Sequence, residues 1–198
     1  EQSDKKEHPV CAGRAGAHCV CHVAPICKPA FFHSPVVNYL RSGIYVFLFS
    51  AWSYSLWNRI VQTQVRRYLL AISALMVLWI LLRSIKYSIE NTDAERWLWY
   101  FYYFPMLFIP MLSVFVSQSL GKGEDFRLPR WTKLLYLPTL LLLLLVLTND
   151  LHQQVFSFPE GRYSGSVYSY ETGYYFVMAW CLLLSLYFFL LLLLYQNL

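Results

Sequence analysis

Apolar residues fall into five runs separated by short polar stretches, Gly43–Trp57, Tyr68–Ile85, Trp97–Leu120, Leu134–Thr148 and Tyr174–Tyr195. Several approach the ~20 residues that a helix needs to cross the hydrocarbon of a bilayer. The pattern predicts an all-α, polytopic membrane helix bundle with about five transmembrane helices. The polar stretches orient it, because basic residues are retained on the cytoplasmic side while acidic ones carry little weight. Arg59, Arg66 and Arg67 lie between the first and second runs, and Lys122, Arg127, Arg130 and Lys133 between the third and fourth, beside Glu124 and Asp125. Those two loops are expected in the cytoplasm. Arg83, Lys86 and Arg96 are balanced by Glu90, Asp93 and Glu95 in the next connection, and Arg162 is outnumbered by Asp150, Glu160 and Glu171 in the last. Those loops are expected outside, which places the amino terminus outside and the carboxyl terminus in the cytoplasm.

Composition agrees with a plasma-membrane, multi-pass protein. The chain is 58% hydrophobic and 19% aromatic with only 14% charge, whereas about a quarter of the residues in ordinary soluble domains are charged. The net charge of +5 is spread over short loops and a tail, so anionic lipid headgroups are the expected counter-charge and no nucleic-acid partner is implied. Trp97, Trp99, Tyr100, Tyr102 and Tyr103, and Tyr168, Tyr170, Tyr174 and Tyr175, crowd predicted helix ends as an interfacial belt would.

Residues 1–38 differ from the remainder. They hold Cys11, Cys19, Cys21 and Cys27 with His8, His18, His22 and His33, yet Cys19 and Cys21 do not have the spacing of a zinc knuckle and no second knuckle follows. No metal site and no cofactor is expected. Pro25, Pro29 and Pro35 interrupt any signal-peptide core. The segment reads as a disordered or non-native leader, and residues 39–198 as the domain. The start at Glu1 and the end at Leu198, just after a leucine-rich run, suggest a fragment of a longer protein.

Candidate chemistry gathers at the predicted outer ends. A leucine run gives way to Thr148, Asn149, Asp150 and His152, and polar side chains at membrane depth are candidate sites. Asn149, Asp150 and the proton-sensitive His152 can line an external cavity, or simply end the helix. Pro105 and Pro110 should bend the third run, and a bent helix bearing Tyr100 and Tyr103 can wall the same cavity. Arg83 and Lys86 share a helix face; they either snorkel to outer headgroups or turn inward to meet an anion or the Asp150 carboxylate. Gly121-Lys122-Gly123 lacks the context of a phosphate loop and reads as a flexible cytoplasmic turn. Cys181 reads as a small buried residue. No nucleophile, base and orienter can be assembled, so the chain itself is not expected to be an enzyme.

Arg66-Arg67-Tyr68-Leu69-Leu70, the aromatic stretch Trp99 to Pro110 with its two prolines, Leu147-Thr148-Asn149-Asp150-Leu151-His152, and Tyr170-Glu171-Thr172-Gly173-Tyr174-Tyr175-Phe176 together resemble the seven-helix amino-terminal sensor region of bacterial membrane histidine kinases. The resemblance covers roughly residues 39–198 and about five of the seven helices. It implies a bundle that senses a small molecule or physical signal at or outside the membrane and passes it to a cytoplasmic output domain. A two-component kinase working as a homodimer would be the full-length protein. This chain carries no phosphorylated His-box and no ATP-binding segment. A small transporter or transporter subunit is the alternative, weakened by the scarcity of charge at bilayer depth and the lack of an inverted repeat.

Overall fold

The computed structural model describes residues 35–196, apart from 87, 90, 124–125, 127, 159–162 and 164–167. The cysteines and histidines of the leader lie outside the described residues. Eight helices and a two-stranded ribbon follow one another: α1 (Pro35–Arg59), α2 (Thr63–Lys86), α3 (Thr92–Phe101), α4 (Tyr103–Ser119), α5 (Arg130–Lys133), α6 (Tyr136–Leu147), α7 (Asn149–His152), β1 (Phe156–Ser157), β2 (Ser169–Tyr170) and α8 (Thr172–Gln196). α1 starts on a proline, whose fixed φ and missing donor suit a first helical position. It begins ahead of the 38/39 boundary that the sequence suggests.

Among the described residues, four helical stretches are long and apolar enough to cross a membrane: Thr63–Lys86, Thr92–Ser119, Arg130–Leu147 and Thr172–Gln196. α1 is as long as α8, but Asn38, Arg41 and its serines and tyrosines make it less apolar. Three of its hydroxyls reach α2 or the turn that follows it, while Tyr45 and Tyr54 stay exposed. Tyr39 bonds Ser88, Ser42 accepts from Ser84 at 2.6 Å, and Ser53 bonds Ser73. These pairs run in opposite order along the two segments, so α1 lies antiparallel to α2 over nearly its whole length.

The bundle is centred on α4, which packs against α2, α3, α6 and α8. Its Leu107, Met111, Val114 and Phe115 are fully or almost fully buried. By contrast α8 turns Phe176, Leu182, Leu186, Phe189 and Leu193 outward. Large apolar side chains in that number have no place against water but match lipid tails. The aromatic third run is broken at Tyr102, where α3 ends and α4 begins with Pro105 in its first turn. Pro110 lies inside α4 and removes the donor that the Met106 carbonyl would take. The Cys181 thiol of α8 donates to that carbonyl at 3.6 Å, so a neighbouring helix satisfies what the proline frees.

Gly121 closes α4 with φ +68°, a conformation that costs glycine little. A Cβ there would come within 2.5 Å of the Tyr195 ring of α8. Gly121, the first residue of the turn expected to be flexible, thus lies under the ring from the last turn of α8, while Gly123 has open space at its Cβ position.

Candidate functional site

The polar group at the end of the leucine run is built by a change of backbone direction. Thr148 leaves helical geometry, its hydroxyl donating back to the Leu144 carbonyl at 2.8 Å. The single turn α7 follows, and Gln153 then adopts φ 47°, which turns the chain back on itself. The returning strand brings the Val155 and Phe156 amides onto the Asn149 Oδ1, at 2.9 and 3.0 Å. The same side chain donates through Nδ2 to the Phe156 carbonyl at 2.9 Å and to the Tyr100 hydroxyl at 3.3 Å. Asn149 is wholly buried, and these four bonds use both donors and both acceptor positions of its amide.

Tyr100, also wholly buried, donates to Asp150 Oδ1 at 2.7 Å. The other carboxylate oxygen lies 3.4 Å from the Arg96 guanidinium, which also reaches Asp93 at 3.2 Å. Nε of Arg96 is buried without an acceptor among the described residues. α3 is itself well begun, since the Asn91 side chain caps the Asp93 and Ala94 amides. α3 and α7, far apart in sequence, are thus joined through one hydroxyl, one amide and one ion pair. Aromatic rings enclose the joint. Trp99 lies 4.3 Å from the Phe156 ring and 4.9 Å from that of Tyr168, and Tyr103 is buried against Phe156 at 5.6 Å.

The returning strand is also fastened to α8. Gly173 donates its amide to the Gln154 carbonyl at 2.8 Å, satisfying one of the first-turn donors that a helix leaves open. The Glu171 amide donates to Val155 at 3.0 Å, and Phe156 and Ser157 pair antiparallel with Tyr170 and Ser169. In this loop the Tyr168 phenol is pushed up to about 12, first by its hydrogen bond with Tyr170 and then by burial. Burial, followed by the nearby Glu95 carboxylate, holds the Tyr163 phenol above the ordinary tyrosine range.

With this cap on a bundle of apolar helices, family membership decides what kind of module it is. The family described as the N-terminal 7TM region of histidine kinase matches residues 41–198. The chain belongs to that family. No curated protein and no solved structure matches it. As a histidine kinase 7TM region, it is a multi-pass membrane sensor module, a region that is non-catalytic in histidine kinases.

Within this 7TM region, Tyr100, Asn149 and Asp150 come together, and Tyr103 packs beside them. His152 is half-buried at the rim. Its Nδ1 accepts from the Gln154 amide at 3.0 Å and its Nε2 lies 3.2 Å from the Thr148 hydroxyl, which serves the turn. Lys86 is 3.6 Å from Glu95 and 5.8 Å from the centre of the Trp99 ring, so it joins the edge of the cap. Arg83 stands apart, lining a cavity between α1 and α2. The cation on Asp150 is therefore Arg96, and neither Arg83 nor Lys86 occupies that place; α3 begins early enough to carry Arg96 across to α7.

A second polar cluster lies at the opposite end of α4. Gln118 accepts from the Thr132 hydroxyl at 2.8 Å and donates to the Tyr187 hydroxyl at 3.4 Å, while Gln62 donates to the Ser119 carbonyl at 2.9 Å. Sequence reasoning misses it, since Gln118 and Thr132 sit singly at helix ends and their partners are far along the chain. Arg96 is missed for a similar reason, although an arginine one turn before a buried tyrosine on the same helix is the signal that finds it.

Proposed function

We propose that the outer cap is the input element of a sensor histidine kinase, with α1 as a fifth crossing, the amino terminus outside and the carboxyl terminus in the cytoplasm. The sensor domain that the sequence places at 39–198 extends back to the start of α1 at Pro35, and the residues before it are a leader outside the domain. A small-molecule or physical signal acts at the cap formed by Asn149, Asp150, His152, Tyr100 and Tyr103, with Lys86 at its edge; a homodimeric cytoplasmic kinase receives the outcome. The observation that carries this reading is the Tyr100–Asp150–Arg96 joint. A partly exposed carboxylate there holds two helices together at the membrane surface, and Arg96 retains a donor with no acceptor among the described residues, so a ligand that competes for either group loosens α3 from α7. Such a ligand shifts the bundle only through unequal affinity for the joined and loosened states.

The test is autophosphorylation of the full-length kinase in native membranes. Tyr100→Phe and Asp150→Asn each remove part of the joint, and a loss of about 1 kcal/mol shifts a two-state balance roughly fivefold. Basal phosphorylation should move by about that factor in the same direction for both variants, while Leu151→Ala at an exposed neighbour should leave it unchanged. Normal signalling by both variants, with membrane insertion intact, would rule out the cap as the input.

A further inference from the structure

Between α1 and α2, near the Ser42–Ser84 bond, lies a cavity of about 250 Å³ that the outer cap does not use. Its composition is divided. Phe49, Met76, Trp79 and Ile80 supply apolar wall, while Arg41 and Arg83 bring two guanidinium groups to the same space. Arg41 is steadied there by donating to Asn38 Oδ1 at 3.0 Å. The described carboxylates are engaged elsewhere: Asp93 and Asp150 with Arg96, Glu95 with Lys86, and Glu171 with Ser169. None of them lines the cavity, and neither Arg41 nor Arg83 makes an ion pair among the described residues.

Two like charges lining one cavity repel unless an anion joins them, and guanidinium groups are the donors best matched to a phosphate or carboxylate. A fully hydrated inorganic anion would leave the apolar wall uncovered. An amphiphile satisfies both halves, with its head on the arginines and its chain along Phe49, Met76, Trp79 and Ile80. We propose that this groove binds an anionic amphiphile, meaning a phosphate or carboxylate head carrying a hydrocarbon tail. The site is separate from the cap and concerns binding alone, so it does not rest on the signalling reading above.

Trp79 in the cavity wall provides the readout. The chain is placed in phosphatidylcholine nanodiscs and titrated with phosphatidylglycerol brominated in its acyl chains, and quenching of Trp79 is taken as the difference from Trp79→Phe. Brominated phosphatidylglycerol should be preferred over brominated phosphatidylcholine by about tenfold, as expected for charge-assisted bonds to two arginines. Arg41→Gln and Arg83→Gln should each remove most of that preference, and Arg130→Gln, on a distant helix, should keep it. Displacement of the quenching lipid by dodecyl phosphate added from water identifies a site open to free amphiphiles; failure to displace it identifies a bilayer lipid as the occupant. Equal quenching by the two brominated lipids, or an undiminished preference in both arginine variants, overturns the proposal.

Discussion

Asn149 holds the cap together with four hydrogen bonds, because it replaces secondary structure. The Val155 and Phe156 amides are buried where no helix or sheet partner reaches them except through its Oδ1. Buried donors left unmade cost about 1–3 kcal/mol each. Asn149→Ala should therefore lower stability by about 3 kcal/mol, and Asn149→Asp should retain the two amide bonds while losing the two donated ones. Thermal unfolding in detergent, followed by circular dichroism, checks the order wild type, Asp, Ala. The residue was conspicuous in the sequence as the first strongly polar side chain after the leucines. Its partners were not, since the Tyr100 hydroxyl is 50 residues from the Asp150 it binds and no local pattern encodes that meeting.

Between elements, close approach of backbone matters more than side-chain chemistry. A Cβ on Gly173 would lie 2.8 Å from the Gln154 carbonyl oxygen, a backbone atom that cannot swing aside. Gly173→Ala should separate the first turn of α8 from the returning strand at a cost of about 1–3 kcal/mol, read as faster amide exchange at Glu171 and Gly173 with little change in the middle of α8. Hydropathy marks where these helices lie, and proline spacing marks where the third run is weak. It does not mark Gly173 as a contact or say that Cys181 answers Pro110, because both depend on which helix lies beside which.

At the level of the whole molecule, loop charge and hydropathy leave α1 as the element whose crossing most needs a direct measurement. Its antiparallel run along α2 is expected to carry it through the same slab. Single cysteines at Val36 and Val61, both strongly exposed, placed in a chain without other cysteines, should then differ: an impermeant maleimide on intact cells labels the first and spares the second. Equal labelling would leave α1 lying on one surface. The apolar helices were legible because a bilayer demands so much hydrophobic length; α1 is the less apolar one because it carries serines and tyrosines, of which Tyr39, Ser42 and Ser53 bond to α2 or the turn after it. The ring of Tyr195 resting on the left-handed Gly121 has a mechanical meaning. Rotation of the last turn of α8 would sweep that ring across the close of α4, so the ends of the two helices meet at an aromatic contact.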